Sequence, residues 1–298
     1  MAGRADLERL LGVRLGAARF DSVQVVGQAP FGDWVLEDLR IDMHGEGIPA
    51  TFLRPETGPV PALIYCHAHG NRYEMGREEL TEGRPALTGP YAPDLCRLGI
   101  AALSIEMPAF GTRQQPCESA RAKAHLWRGT TLFGQMLAEL SAGLSFLSDH
   151  PVIDADRLGA LGLSMGSTHA FWLAALDDRV RAAAALCSFA DLDRLVATAA
   201  HDGHGIYMTV PGLLPGWSTG QIAGLAAPRA LQICVGMQDW STPAHAFAPA
   251  RAALEAAYTA TPDQLEFHVE EDLGHAESPA MRQAVLSFLT RRLGDVRD

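Results

Sequence analysis

Along most of the chain, short apolar runs alternate with longer segments whose apolar residues recur every three and four positions. This alternation is the signature of a largely parallel sheet covered by helices, because parallel neighbours need crossover connections and strands buried on both faces carry few charges. The strand-like runs are residues 62–67, 100–105, 158–163, 180–187, 229–236 and 265–269. Helical patterns span 91–98, 119–147, 167–176, 243–258 and 278–293, with Pro243 and Pro279 placed for first turns. Upstream, 23–26, 34–41 and 50–53 are separated by Gly- and Pro-containing turns and read as an antiparallel meander joined to the sheet edge. A length of 298 residues with 48% apolar composition fits one α/β domain over 1–298, with a helix and the meander in 1–60.

Charge and cysteine usage narrow the class. A net charge of −11 without any Lys/Arg cluster excludes a nucleic-acid partner, whose phosphates need a basic face. Residues 6–20 interleave charges with leucines and read as a surface helix, not a signal peptide, and no apolar run reaches membrane-spanning length. Five cysteines, odd in number and mostly within apolar runs, read as reduced core thiols of a cytoplasmic protein. Cys66 is weighed as a reactive thiol, but its strand setting favours the core.

The chemistry is carried by four loops. Gly162-Leu163-Ser164-Met165-Gly166 follows one strand and precedes a helix, so Ser164 sits on a sharp turn where flanking side chains would collide. The pentapeptide is weak by itself, but a serine exposed in this way needs a histidine base and a carboxylate that orients it. Asp239 lies just past the run 229–236, and His275 follows the last strand in a loop. Asp239 could instead be a turn or cap residue, and His275 one solvated histidine among 11. Their positions after successive strands favour catalysis, and they favour Asp239 over Asp272 and Glu277 as the orienting group. After the run 62–67 comes His67-Ala68-His69-Gly70, whose backbone, with the amide of Met165, would supply two oxyanion donors, Met165 and His69. His67 and His69 as a metal pair lack a third ligand at motif spacing, so no metal is expected.

Taken together, these residues resemble the α/β-hydrolase fold, in the dienelactone hydrolase and acetyl xylan esterase-like group. The resemblance is carried by Ile64-Tyr65-Cys66-His67-Ala68-His69-Gly70, Glu106-Met107-Pro108-Ala109-Phe110-Gly111, Gly162-Leu163-Ser164-Met165-Gly166, His204-Gly205-Ile206-Tyr207, Val210-Pro211-Gly212-Leu213-Leu214, Ala227-Pro228-Arg229 and Gly274-His275. It departs from the usual pattern at Ala68, where a glycine is common, and at Glu106, where aspartate is common and structural. It implies a serine carboxylesterase with the triad Ser164, Asp239 and His275, acting on a small-molecule ester without a cofactor. It also implies that residues 188–226, where the alternation lapses, roof the site. Substrate-binding candidates are then His67, Asn71, Arg72, Tyr207, Met208, Leu213, Leu214, Trp217 and Trp240, each weighed against simple packing. Thioester, lactone, amide or C–C cleavage would use the same triad, and a non-catalytic ligand receptor would keep only the pocket. The exposed edge of the meander leaves a homo-oligomer open.

Overall fold

The computed structural model describes residues 3–294, so residues 1–2 and 295–298 of the expected 1–298 span lie outside the described residues. Among the described residues nine strands form one sheet: β1 (Ser22–Phe31), β2 (Trp34–Met43), β3 (Glu46–Pro55), β4 (Val60–Cys66), β5 (Ala101–Ile105), β6 (Ile153–Leu163), β7 (Val180–Leu186), β8 (Ala230–Gly236) and β9 (Leu265–Glu270). Their order is β1-β2-β3-β5-β4-β6-β7-β8-β9. The first three strands form the expected meander, and β3 joins the rest antiparallel to β5. From β5 to β9 every pairing is parallel, so the C-terminal strand ends share one rim.

The helices are α1 (Arg4–Leu11), α2 (Glu79–Glu82), α3 (Ala92–Leu98), α4 (Glu118–Trp127), α5 (Leu132–Asp149), α6 (Met165–Leu176), α7 (Leu192–Ala197), α8 (Thr219–Gly224), α9 (Ala244–Ala257) and α10 (Pro279–Leu293). Side chains alternate across each strand, so β4 sends Ala62, Ile64 and Cys66 into a core shared with α5 and α6. Leu63 and Tyr65 enter the opposite core, shared with α3 and α10. Both faces are therefore covered, as the charge-poor runs require.

Three expectations are corrected. The single helix over 119–147 is two, because the chain turns at residues 128–131, where Gly129 adopts φ +76° and Thr131 caps α5 by accepting from the Gly134 amide at 2.9 Å. The helix over 6–20 is the shorter α1, ended by Gly12 at φ +74°, where a Cβ would stand 2.7 Å from the Thr130 backbone. Pro243 precedes the first turn of α9 as its cap, whereas Pro279 does occupy a first turn. Among the described residues no helix is long and apolar enough to cross a membrane.

Candidate active site

The turn between β6 and α6 stores backbone strain. Ser164 holds φ +60° and ψ −116°, a region non-glycine residues rarely occupy, and its amide donates to Leu186 O at 2.8 Å. The flanking glycines let the backbones close in. A Cβ on Gly166 would stand 1.9 Å from Cys66 O, and one on Gly162 would stand 2.5 Å from the same atom. The turn thus presses against the end of β4 and carries the serine at the rim.

Two further strands bring their loops to that rim. His275 Nε2 lies 2.9 Å from Ser164 Oγ, and His275 Nδ1 lies 2.8 Å from Asp239 Oδ2. Asp239 is 2% exposed, and its other oxygen accepts from the Ser241 amide at 2.7 Å, which fixes the carboxylate plane. Glu277, the competing carboxylate two residues past His275, is engaged elsewhere: it accepts from the amide and hydroxyl of Thr88 and from Tyr91, and pairs with Arg282. With Nδ1–H directed at Asp239, Nε2 is free to accept the serine proton.

The turn after β4 lies beside the serine loop, Gly166 packing on both Cys66 O and His67 O. Among the described residues, neither the Met165 amide nor the His69 amide has a hydrogen-bond partner. His67 does not line the site, contrary to expectation: it is wholly buried, and its Nε2 accepts from the Met107 amide at 3.1 Å. Burial lowers its pKa to about 3, so it is a neutral ring that ties β4 to the loop after β5.

His69 is held by a residue the sequence did not single out. Glu118, at the start of α4, accepts from His69 Nε2 at 3.0 Å, from the Tyr73 hydroxyl at 2.6 Å and from the Tyr207 amide at 2.9 Å. Burial would raise the Glu118 carboxyl, but the hydrogen bonds from His69 and Tyr73 outweigh it and hold the pKa below its ordinary value. Because Nε2–H donates, His69 Nδ1 is the acceptor for the Asn71 amide at 3.0 Å, and the turn is closed on itself. Glu118 stands 49 positions from His69 and 89 from Tyr207, beyond the reach of any local pattern.

The other expected substrate contacts divide. Tyr207 is buried and stacks on His69 with centroids 5.9 Å apart. Met208, Leu213 and Leu214 line a cleft of about 420 Å³ in the segment 188–226, together with Leu192 and His204. Trp240 is 56% exposed, with its ring 5.6 Å from His275 and 5.5 Å from His204. Asn71 and Arg72 lie on the turn past His69, and the Arg72 guanidinium pairs with Glu74 at 2.8 Å. Trp217 is not a cleft residue: it is buried, and its Nε1 donates to Asp6 Oδ2 at 2.9 Å, which anchors the segment to α1.

No family model matches the sequence. Over 295 residues the chain is 34% identical to a Bacillus subtilis protein named "Putative hydrolase YtaP", covering 97% of this chain and 98% of that one. A solved Bacteroides fragilis structure, titled a "putative acetyl xylan esterase", superposes with a TM-score of 0.71 over 99% of this chain and 82% of its own, at 15% identity. A glucuronoyl esterase from Solibacter usitatus gives 0.69 over 98% and 92%, at 13% identity. At such identities the two structures speak for the α/β-hydrolase fold.

Proposed function

The chain belongs to the same family as YtaP, with the α/β-hydrolase fold, and we propose that it is a serine carboxylesterase acting through an acyl-enzyme on a small ester. The observation that carries this reading is the relay Ser164 Oγ to His275 Nε2 at 2.9 Å and His275 Nδ1 to Asp239 at 2.8 Å, set on a strained strand-to-helix turn. His275 removes the Ser164 proton as Oγ attacks the ester carbonyl. The charge that develops on the carbonyl oxygen is met by the amides of Met165 and His69, each worth roughly 3 kcal/mol to the transition state. His275 then protonates the departing alcohol, and water repeats the cycle on the acyl group.

The cleft beside His204 and Met208 supports selectivity residing in residues 188–226, because the His204 ring lies 5.5 Å from Trp240, whose ring is 5.6 Å from His275. Buried free Cys66, Cys187 and Cys234 support a cytoplasmic location. The test is hydrolysis of p-nitrophenyl acetate, with fluorophosphonate labelling. Ser164→Ala loses at least a thousandfold in kcat and takes no label; a variant that still turns over and labels elsewhere overturns the nucleophile.

A further inference from the structure

The His69 amide can serve an oxyanion only if the peptide joining Ala68 to His69 keeps one orientation. In a trans peptide the carbonyl and the following N–H point in opposite directions, so whatever holds the carbonyl aims the amide. This bond is trans, the cis peptides among the described residues lying at other positions. We propose that Arg84 is the positioning residue of the oxyanion hole, acting through the Ala68 carbonyl, an inference that rests on the esterase reading above.

The arrangement is built for one orientation. Arg84 Nη2 donates to Ala68 O at 2.9 Å, and His67 Nδ1 donates to the same oxygen at 3.1 Å, because its Nε2 is occupied as an acceptor from Met107. The Ala68 amide on the other side of the residue donates to Glu79 Oε2 at 3.0 Å. Arg84 and Glu79 form an ion pair, and the Tyr65 hydroxyl donates to Glu79 Oε1 at 2.9 Å. The Arg84 and Glu79 side chains are 3% and 0% exposed, so these contacts exchange little with water. Gly70 makes the approach feasible, since a Cβ there would stand 2.7 Å from Arg84 Nη1.

With its carbonyl pinned from the interior, the peptide turns the His69 N–H the opposite way, and that N–H has no partner among the described residues. Release of the carbonyl permits a peptide flip that would set an oxygen, not a hydrogen, against the developing negative charge. Such a fault raises the barrier without weakening ground-state binding, so it lowers kcat and spares KM.

The experiment compares Arg84→Lys, the neutral double variant Glu79→Gln with Arg84→Met, Tyr65→Phe and Ser164→Ala in ester hydrolysis and thermal unfolding. Lysine keeps the charge beside Glu79 but lacks the fork that serves Glu79 and Ala68 O together. The double variant removes both charges, so no unpaired ion is left buried, and the carboxamide oxygen that Glu79→Gln introduces still accepts from the Ala68 amide. Either folded Arg84 variant is expected to lose at least tenfold in kcat with KM within threefold of wild type. Tyr65→Phe destabilises the same ion pair from its far side and is expected to keep kcat. The proposal is overturned if a folded Arg84 variant keeps kcat within threefold, or if Tyr65→Phe loses kcat as much as the Arg84 variants do. If Ser164→Ala retains activity, the esterase reading fails; if it is dead while the Arg84 variants are unimpaired, only the positioning role fails.

Discussion

Replacing Glu118 with glutamine probes the junction of α4, the His69 turn and the segment 188–226. One carboxylate there accepts from three donors: His69 Nε2 at 3.0 Å, Tyr73 Oη at 2.6 Å and the Tyr207 amide at 2.9 Å. An amide cannot copy this, because whichever way it turns, its NH2 faces at least one N–H or O–H donor. Hydrogen bonds to a charged acceptor contribute about 1.5–3 kcal/mol each, and a buried donor left unpaired costs about 1–3 kcal/mol. Allowing Tyr73 to rotate its hydroxyl, the net loss at pH 7 is about 3 kcal/mol. For a chain of this size that corresponds to a melting point lower by roughly 6 °C.

The pH dependence follows from the sign of the shift. The folded carboxyl titrates below its ordinary value of 4.5, so its contribution is complete above pH 4.5 and fades as pH falls through the folded value. Wild type and Glu118→Gln should therefore differ at pH 7 and converge as pH falls through the folded Glu118 value, since a protonated glutamate resembles glutamine. Urea unfolding followed by circular dichroism at several pH values measures both quantities. A gap under about 0.5 kcal/mol at pH 7, or one that persists unchanged in acid, would refute the reasoning.

Asp239→Asn keeps an acceptor for Ser241 but favours the wrong His275 tautomer, with Nε2 protonated toward Ser164. It should lower kcat by about 10⁴ with folding intact, and steady-state kinetics showing less than a tenfold loss would remove Asp239 from the relay. Gly166→Ala places a methyl 1.9 Å from Cys66 O, a backbone atom that cannot move aside, so it should cost more than about 3 kcal/mol or abolish folding. Gly89→Ala, with nothing within 4 Å of the added carbon, is its control, and equal melting points for the two would contradict the packing argument.

The parallel sheet, the meander and the helices on both faces were legible in the sequence because each depends on the spacing of apolar residues within one segment. The placement of Ser164, Asp239 and His275 was legible for a related reason: in a parallel sheet, residues just past consecutive strands gather at one rim. The break at residues 128–131 was hidden because the apolar spacing continues across it, while Gly129 and the Thr131 cap interrupt only the backbone. His67 and Trp217 read as pocket residues from their neighbours in sequence, yet packing directs one to the Met107 amide and the other to Asp6. Glu118, Glu79 and Arg84 carry no local signal at all. Their partners are chosen by which surfaces the finished layers bring into contact, and a buried charge finds its role only once the fold decides which donors surround it.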